Sequence, residues 1–509
     1  MSNPGIFGRM TQSPNSLLSE LLYEPGLRED VEHVLPFLLK IDAAHVVMLT
    51  RQKLLPRSLS AALLALNADL SQRLSAGEEI FSQKPTSHRG LYMLYENEFV
   101  ERLGPEIGGA AHLARSRNDI NATITRMRLR SDLLEILSDL EALQSEMLSK
   151  ANSYSKSLMS GFTHLQPSQP TSFGHYLAAV LEEVARSSEW LSSAYEDVNC
   201  SPMGAAAGLG SGVNTDPALV ARFLGFSSVA GNTLNAVASR DYIARVLSYL
   251  SILGTTLSRL TSDLQMWGSG AYKFVDWTDD VMSTSSIMPQ KRNAFVLENI
   301  RAQSAVPTGA LVSVLTVLKA SPFSNSAEVS SGTALQTWPA LAAMRSAVRL
   351  MTLLLNKITV NGENMRNFMM NKGTEMTALA EFLVAQHGLA FRTAHDLVSD
   401  LVSKGERQIE QTDRDWVYLH LNELIARKAI ETRGTLRKED IQRVLDPYGC
   451  LERYAQSNSP APSSLMHHLK EIDSRKDSLR KIIEIRHAHL RRANTELDEA
   501  VLAIRENAR

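Results

Sequence analysis

Cysteine is nearly absent: Cys200 and Cys450 are the only two in 509 residues. They stand far apart without metal-ligand spacing, which excludes a disulfide framework and suits a reducing compartment, with the cytoplasm as default. An excess of one charge is missing too. Lys and Arg total 53 against 55 Asp and Glu, for a formal net charge of -2, so nothing favours nucleic acid or an anionic membrane surface. No apolar run is long enough to span a bilayer. The opening MSNPGIFGRMTQS has neither the charged nor the apolar region of a signal peptide. Convincing strand alternation is also lacking, as are repeats and low-complexity tracts.

What is present is helical. Apolar residues make up 44% and charged residues 21%, an ordinary globular balance, and the length implies two or three domains. From Asn121 to Ser160 there is neither Gly nor Pro, and Leu129, Leu133, Ile136, Leu140, Leu143 and Met147 recur at spacings of four and three. This predicts an amphipathic helix of roughly 50–60 Å. A helix of that length needs long partners, in a bundle or across a subunit interface. Candidates run from His175 to Cys200, Asn232 to Leu253, Ala294 to Ala305 and Ala340 to Val360, each bounded by Gly or Pro. Shorter helices, one near Ile41 to Leu55, and a mixed stretch from Gly77 to Gly90 suggest a separate N-terminal domain. Beyond Gly362 the helices shorten again; a Pro/Ser/Asn-rich stretch from Leu445 to Pro462 precedes a charged helix from Lys476 to Asn507. The expected fold is all-α in three domains, 1–115, 116–362 and 363–509, the middle one a long-helix bundle.

Three polar segments interrupt this pattern. The first, ARSRNDIN, packs Arg115, Ser116, Arg117, Asn118 and Asp119 at a helix mouth, where free N–H groups and guanidinium forks suit a carboxylate. An ordinary helix start capped by Ser116 or Asn118 accounts for it as well. The second, GFTHLQPSQPTSFGH, sets Thr163, His164, Gln166 and Gln169 in a turn-rich stretch after the long helix. His164 has the right pKa range for a proton carrier, although a lone His is more often structural. The third, STSSIMPQKRNAFVLENIR, places Ser285 and Ser286 before Met288-Pro289, then Lys291 and Asn293 at a helix start. A cap role explains Asn293 but leaves the Lys and the paired serines unexplained, whereas a dianionic acid would use them all.

In this order around long helices, the three segments resemble the conserved regions of the aspartase/fumarase superfamily, and most closely the argininosuccinate lyase family. Further matches are IFGRM near the start, AAHVVML at Ala43–Leu49, HLARSRND at His112–Asp119, THLQ at Thr163–Gln166, and LDPYG followed by Pro-Ala-Pro. The resemblance implies a fumarase/aspartase-like homotetramer with a twenty-helix core. Each active site would draw its three segments from three chains, and no cofactor or metal would be needed. The implied reaction is a carbon–nitrogen elimination releasing fumarate from an N-substituted aspartate, argininosuccinate first. By motif position Ser285 would be the base, assisted by Lys291. His164, paired with Glu298, would serve the departing nitrogen. Ser116, Arg117, Asn118 and Thr163 would bind the succinyl portion, with Asn293 and Lys291 on the growing carboxylate charge and Ser286 among the substrate-binding residues.

This sequence departs from the family at the periphery. Arg89, Gly90, Leu91 and Tyr92 stand where the family has Glu-Asp-x-His, Thr284 replaces a Gly, and Ala294-Phe295 replace Pro-Asp. In SPFSNSAEVSSGT, Asn325, Ser330 and Thr333 occupy the positions where the family's Tyr, Gln and Lys contact the arginine portion. Losing matched donors and acceptors around a guanidinium-bearing amino acid leaves polar groups unpaired at a cost on the order of 1–3 kcal/mol each, so the same elimination on another N-succinyl amine or amino acid is the alternative. A non-catalytic structural homologue, as in lens crystallins, is the third. His467-His468 and the pair His487 and His489 lack the acidic partners of a zinc site. The run Gly204–Gly212 lacks the Lys-Ser/Thr ending of a phosphate loop, is not expected to follow a strand, and gives no expectation of a nucleotide.

Overall fold

The computed structural model describes residues 15–81, 90–370, 372–405 and 414–506. The IFGRM match and Arg89 lie outside these residues. Ser116 starts the first long helix: its side chain accepts the Asn118 N–H, and a capping box joins it to Asp119. Helix α1, Arg117–Ser153, then runs for 37 residues, about 55 Å. All six apolar positions read from the spacing are 0% exposed. Chain reversal follows through an antiparallel hairpin, β1 (Leu158–Thr163) and β2 (Gln166–Ser172), into α2 (Phe173–Val198).

Helix α3 spans Asp241–Trp267, α4 Phe295–Ala320 and α5 Thr333–Asn356. The sequence reading ended α3 before Gly254, ended α4 before Pro307 and began α5 after Pro339, and in each case the helix continues through. At Gly254 the reason is close approach: an added Cβ would lie 2.3 Å from the Ser304 carbonyl oxygen of α4, so this glycine brings two helix backbones together. Pro307 is buried inside α4, and Pro339 lies inside α5. Packing of the apolar faces outweighs the local cost of both prolines. The expected helix from Asn232 is instead a short one, Thr233–Ala238, separated from α3 at Ser239-Arg240. Strands are confined, among the described residues, to small two-stranded ribbons.

Three large apolar cores organise the described residues. The central one joins α1 to α5. A second unites Leu35–Leu49, Leu63–Leu70 and Tyr92–Phe99 with Ile120 and Ile124 of α1. A third lies within Leu379–Leu445. It includes α6 (Met376–His387), which lines one cavity together with β2 and α7 (Pro447–Arg453). The last helix, α8 (Pro462–Glu506), leaves this third region: Leu465, Leu469 and Ile472 enter the central core, and Leu497, Ala500 and Ile504 the second. No single helix among the described residues is long and apolar enough to cross a membrane.

The direction of the helices sets the ends of the bundle. Arg126, near the start of α1, stacks over Tyr242 at the start of α3 with 4.0 Å to the ring centroid. At the other end of α3, Trp267 meets Phe162 of β1 and Phe173 of α2, 6.3 and 6.2 Å between centroids. Helix α4 begins at that second end, where Gln265 donates to Glu298 at 3.0 Å. It returns to the first end, where Asn325 meets Asn118.

Candidate active site

The first segment is set in a buried polar scaffold. Arg115, with a side chain 3% exposed, forms an ion pair with Asp42, and the Tyr95 hydroxyl donates to the same carboxylate at 2.6 Å. The guanidinium that the sequence offered to a ligand is therefore engaged inside the protein. His45 Nε2 lies 2.9 Å from the Leu113 carbonyl. Burial, and then the Arg115 charge, push the His45 pKa down to about 3, so the ring is neutral and donates. Asp119 accepts from the Ser116 N–H at 2.9 Å and from the Ala206 N–H at 2.8 Å. Its burial raises the pKa to about 6, against the lowering by those N–H groups.

Asn118 extends this scaffold to the surface. Its Nδ2 donates to the Ala207 carbonyl at 3.1 Å, and its Oδ1 accepts from Asn325 Nδ2 at 2.9 Å. The Gly204–Gly212 run, to which sequence reasoning gave no role, is thus the loop against which Asn118 is positioned. Contrary to the sequence reading, a strand precedes it: Cys200–Ser201 ends two residues before Gly204, held by parallel pairing to Ser228–Val229. Ser116 and Arg117 are half-buried beside the loop. Asp119 was also missed, although its spacing from Ser116 is a capping-box signal legible in the sequence.

The second segment is a hairpin rather than an irregular turn-rich loop. Thr163 pairs with Gln166, leaving His164 and Leu165 as a two-residue turn with φ of 53° and 60°. Left-handed turns of this kind usually carry Asn or Gly, so holding His and Leu there stores backbone strain at the tip. Thr163 and His164 are exposed.

The third segment leaves the bundle on β3 (Ser283–Thr284) and returns on β4 (Arg292–Asn293), with Ser283 opposite Asn293. Between them Ser285 Oγ accepts the N–H groups of Ile287 at 3.3 Å and Met288 at 3.0 Å. Two aimed backbone donors on a hydroxyl oxygen favour its anionic form. Ser286 and Lys291 are exposed, and Ile287 is 82% exposed. Asn293 does not cap α4: Ala294 occupies the cap position with no side-chain bond, because Asn293 is held in β4. Phe295 opens the helix, 41% exposed.

At the periphery, the Ser330 and Thr333 hydroxyls donate to the Ser326 and Val329 carbonyls of their own turn, at 2.9 and 2.7 Å. Asn325 alone of the three reaches the first segment. The expected His164–Glu298 pair is not formed within the chain, where Glu298 accepts from Gln265. The hairpin and the serine loop stand at one end of the bundle, and Ser116–Asn118 with Asn325 at the other. A helix of about 55 Å separates them. One chain therefore cannot gather all three segments around one small molecule. Among the described residues no cluster of three or more His, Cys, Asp or Glu is placed to hold a metal ion.

Comparisons with known proteins bear on the family and the fold. Residues 66–309 match the family model described as lyase, and residues 374–452 the one described as argininosuccinate lyase C-terminal. Argininosuccinate lyase 1 of Shouchella clausii is 33% identical over 468 residues, covering 92% of this chain and 93% of its own. The chain belongs to the argininosuccinate lyase family. The argininosuccinate lyase of Methanosarcina acetivorans is 31% identical across 95% of this chain and 98% of its own. Among solved structures, EDDS lyase in complex with formate superposes with a TM-score of 0.85 at 26% identity, covering 97% of this chain and 99% of that one.

Proposed function

We propose that the protein is a carbon–nitrogen lyase converting argininosuccinate to arginine and fumarate, working in the cytoplasm as a homotetramer with active sites shared by three chains. The observation that carries the chemistry is the Ser285 hydroxyl oxygen under two backbone N–H groups, in a family whose kinship spans the chain. Ser285, as alkoxide, removes a proton from the carbon next to one substrate carboxylate. The electron pair moves onto that carboxylate, which Lys291 and Asn293 hold with Ser286, while Ser116, Arg117, Asn118 and Thr163 grip the rest of the succinyl group. Collapse of this intermediate forms the carbon–carbon double bond of fumarate and breaks the bond to nitrogen. His164, backed by Glu298 of whichever chain completes the site, orients or protonates the departing amine. Closing of the serine loop would cover Ile287 and exclude water while the carbanion-like species exists.

Sharing between copies follows from length, since the first segment and the hairpin stand at opposite ends of α1 and another copy must bring the missing one; the third contributor rests on the family resemblance. We read residues 1–115, 116–362 and 363–509 as three units, the last sending α8 back along the bundle. Purified protein given argininosuccinate should release fumarate, followed by its ultraviolet absorbance, and Ser285→Ala should not. A second reading, the same elimination on another N-substituted aspartate, is favoured by one observation. Ser330 and Thr333 spend their hydroxyls on their own backbone, and the Asn325 Nδ2 is committed to Asn118, leaving only its Oδ1 as an acceptor. Absence of turnover on argininosuccinate, with amine-dependent fumarate consumption in the addition direction, would select it.

A further inference from the structure

A cavity of about 350 Å³ adjoins the second segment away from its turn, walled by Gln169 and Pro170 of β2, by Glu381 and Phe382 of α6, and by Arg453 and Tyr454 at the end of α7. It sits at the small end of the range for ligand sites. Its walls come from the catalytic hairpin on one side and the C-terminal region on the other. They are tied by the Tyr454 hydroxyl, which donates to the Pro170 carbonyl at 3.1 Å.

Arg453 is fixed at the rim. Nη1 donates to the Arg443 carbonyl at 2.8 Å, and Nη2 to the Val444 carbonyl at 2.7 Å and to Cys450 Sγ at 3.2 Å. Burial pushes the Cys450 thiol up to about 11, so this sulfur brings no negative charge to the guanidinium. A guanidinium has five N–H donors, so donors remain for a ligand. Glu381, from a different helix, supplies an exposed carboxylate to the same cavity. A fixed cation, a mobile anion and the flanking rings of Phe382 and Tyr454 match a small zwitterion with an organic side chain.

We propose that this cavity is a regulatory site for a free α-amino acid, its carboxylate on Arg453 and its ammonium on Glu381. Gln169 lies five residues along the hairpin from His164, roughly 15 Å of strand. Occupancy that shifts β2 against α6 is transmitted along a stiff ribbon to the strained turn carrying Thr163 and His164. Binding itself is independent of the proposed reaction; only its kinetic consequence rests on that reading.

Calorimetry on the full-length protein, with each common amino acid and with α-amide and N-acetyl analogues, tests it without turnover. The expected result is millimolar or tighter binding of at least one amino acid, lost in both analogues and unchanged by saturating fumarate. Glu381→Gln, and Ala385→Trp to fill the cavity, should each weaken binding by about tenfold or more, leaving the thermal midpoint and the effector-free rate unchanged. In the unsubstituted enzyme the same ligand should change KM more than kcat. No binding by any amino acid, or binding untouched by both substitutions, overturns the proposal. Glu381 and Ala385 avoid the structural bonds of Arg453, so a folding failure there does not decide the outcome.

Discussion

The first segment and the serine loop carry equally polar sequences, yet the chain holds them in opposite ways. Ser116 and Asn118 stand on a carboxylate, Asp119, that is 0% exposed and on a buried Arg115–Asp42 pair. The serine loop is anchored where Arg292 of β4 meets Asp276, Asp279 and the Trp277 carbonyl, but beyond its pair of two-residue strands it has two N–H contacts to Ser285 and its tip in solvent. The difference separates two tasks. A succinyl-binding surface benefits from donors fixed before the substrate arrives. A base that must be shielded from water needs a segment that can close, and such segments come from the low-stability end of a structure.

Substitutions on the two sides should therefore differ in kind as well as size. Ser285→Ala should lower turnover by roughly 10²–10⁴-fold while leaving the denaturant midpoint where it was; a shift in midpoint would show the loop to be structural. Arg115→Met, which strands the Asp42 carboxylate, should cost about 3–5 kcal/mol of stability, read by urea unfolding. Adding Asp42→Leu should recover much of that loss. Asp119→Asn places an amide donor against an N–H donor, at a cost of about 1–3 kcal/mol, and should raise KM by loosening the Ala206–Ala207 loop behind Asn118.

The smallest effect is a pH dependence. His45 is held neutral with a pKa near 3 in the fold but titrates near 6.5 when unfolded. Between those values the unfolded chain binds the extra proton, so stability falls as pH drops from about 6.5 toward 3. His45→Gln should flatten the decline in thermal midpoint between pH 7 and pH 5.

Much of this was legible in the sequence, and the illegible parts have common causes. The burial of Leu129 through Met147 followed from spacing, and the helix start at Ser116 from its capping residues. The helix ends at Gly254 and Pro307 were misread because a local rule was applied where a neighbouring helix decides: Gly254 serves the contact with Ser304, and Pro307 is carried by packing. The hairpin at Thr163–Gln166 was hidden because His-Leu is not a turn sequence anyone would choose; its conformation is imposed by the strands. Arg115 read as a ligand fork because Asp42, its partner, lies 73 positions away. The segments Ser116–Asn118, Thr163–His164 and Ser285–Asn293 were visible as chemistry. Their separation to the two ends of one helix was visible only as a length.

Complementation tests the claim that no single chain contains a whole site. Asn118→Ala and Ser285→Ala proteins, each with little activity alone, would be dissociated together in mild denaturant and allowed to reassociate, with the unsubstituted protein treated alongside. The account predicts that the mixture regains a fraction of the control's fumarate-releasing activity, because some reassembled sites draw intact segments from both variants. A mixture that stays as inactive as its parents, while the control recovers, would contradict it.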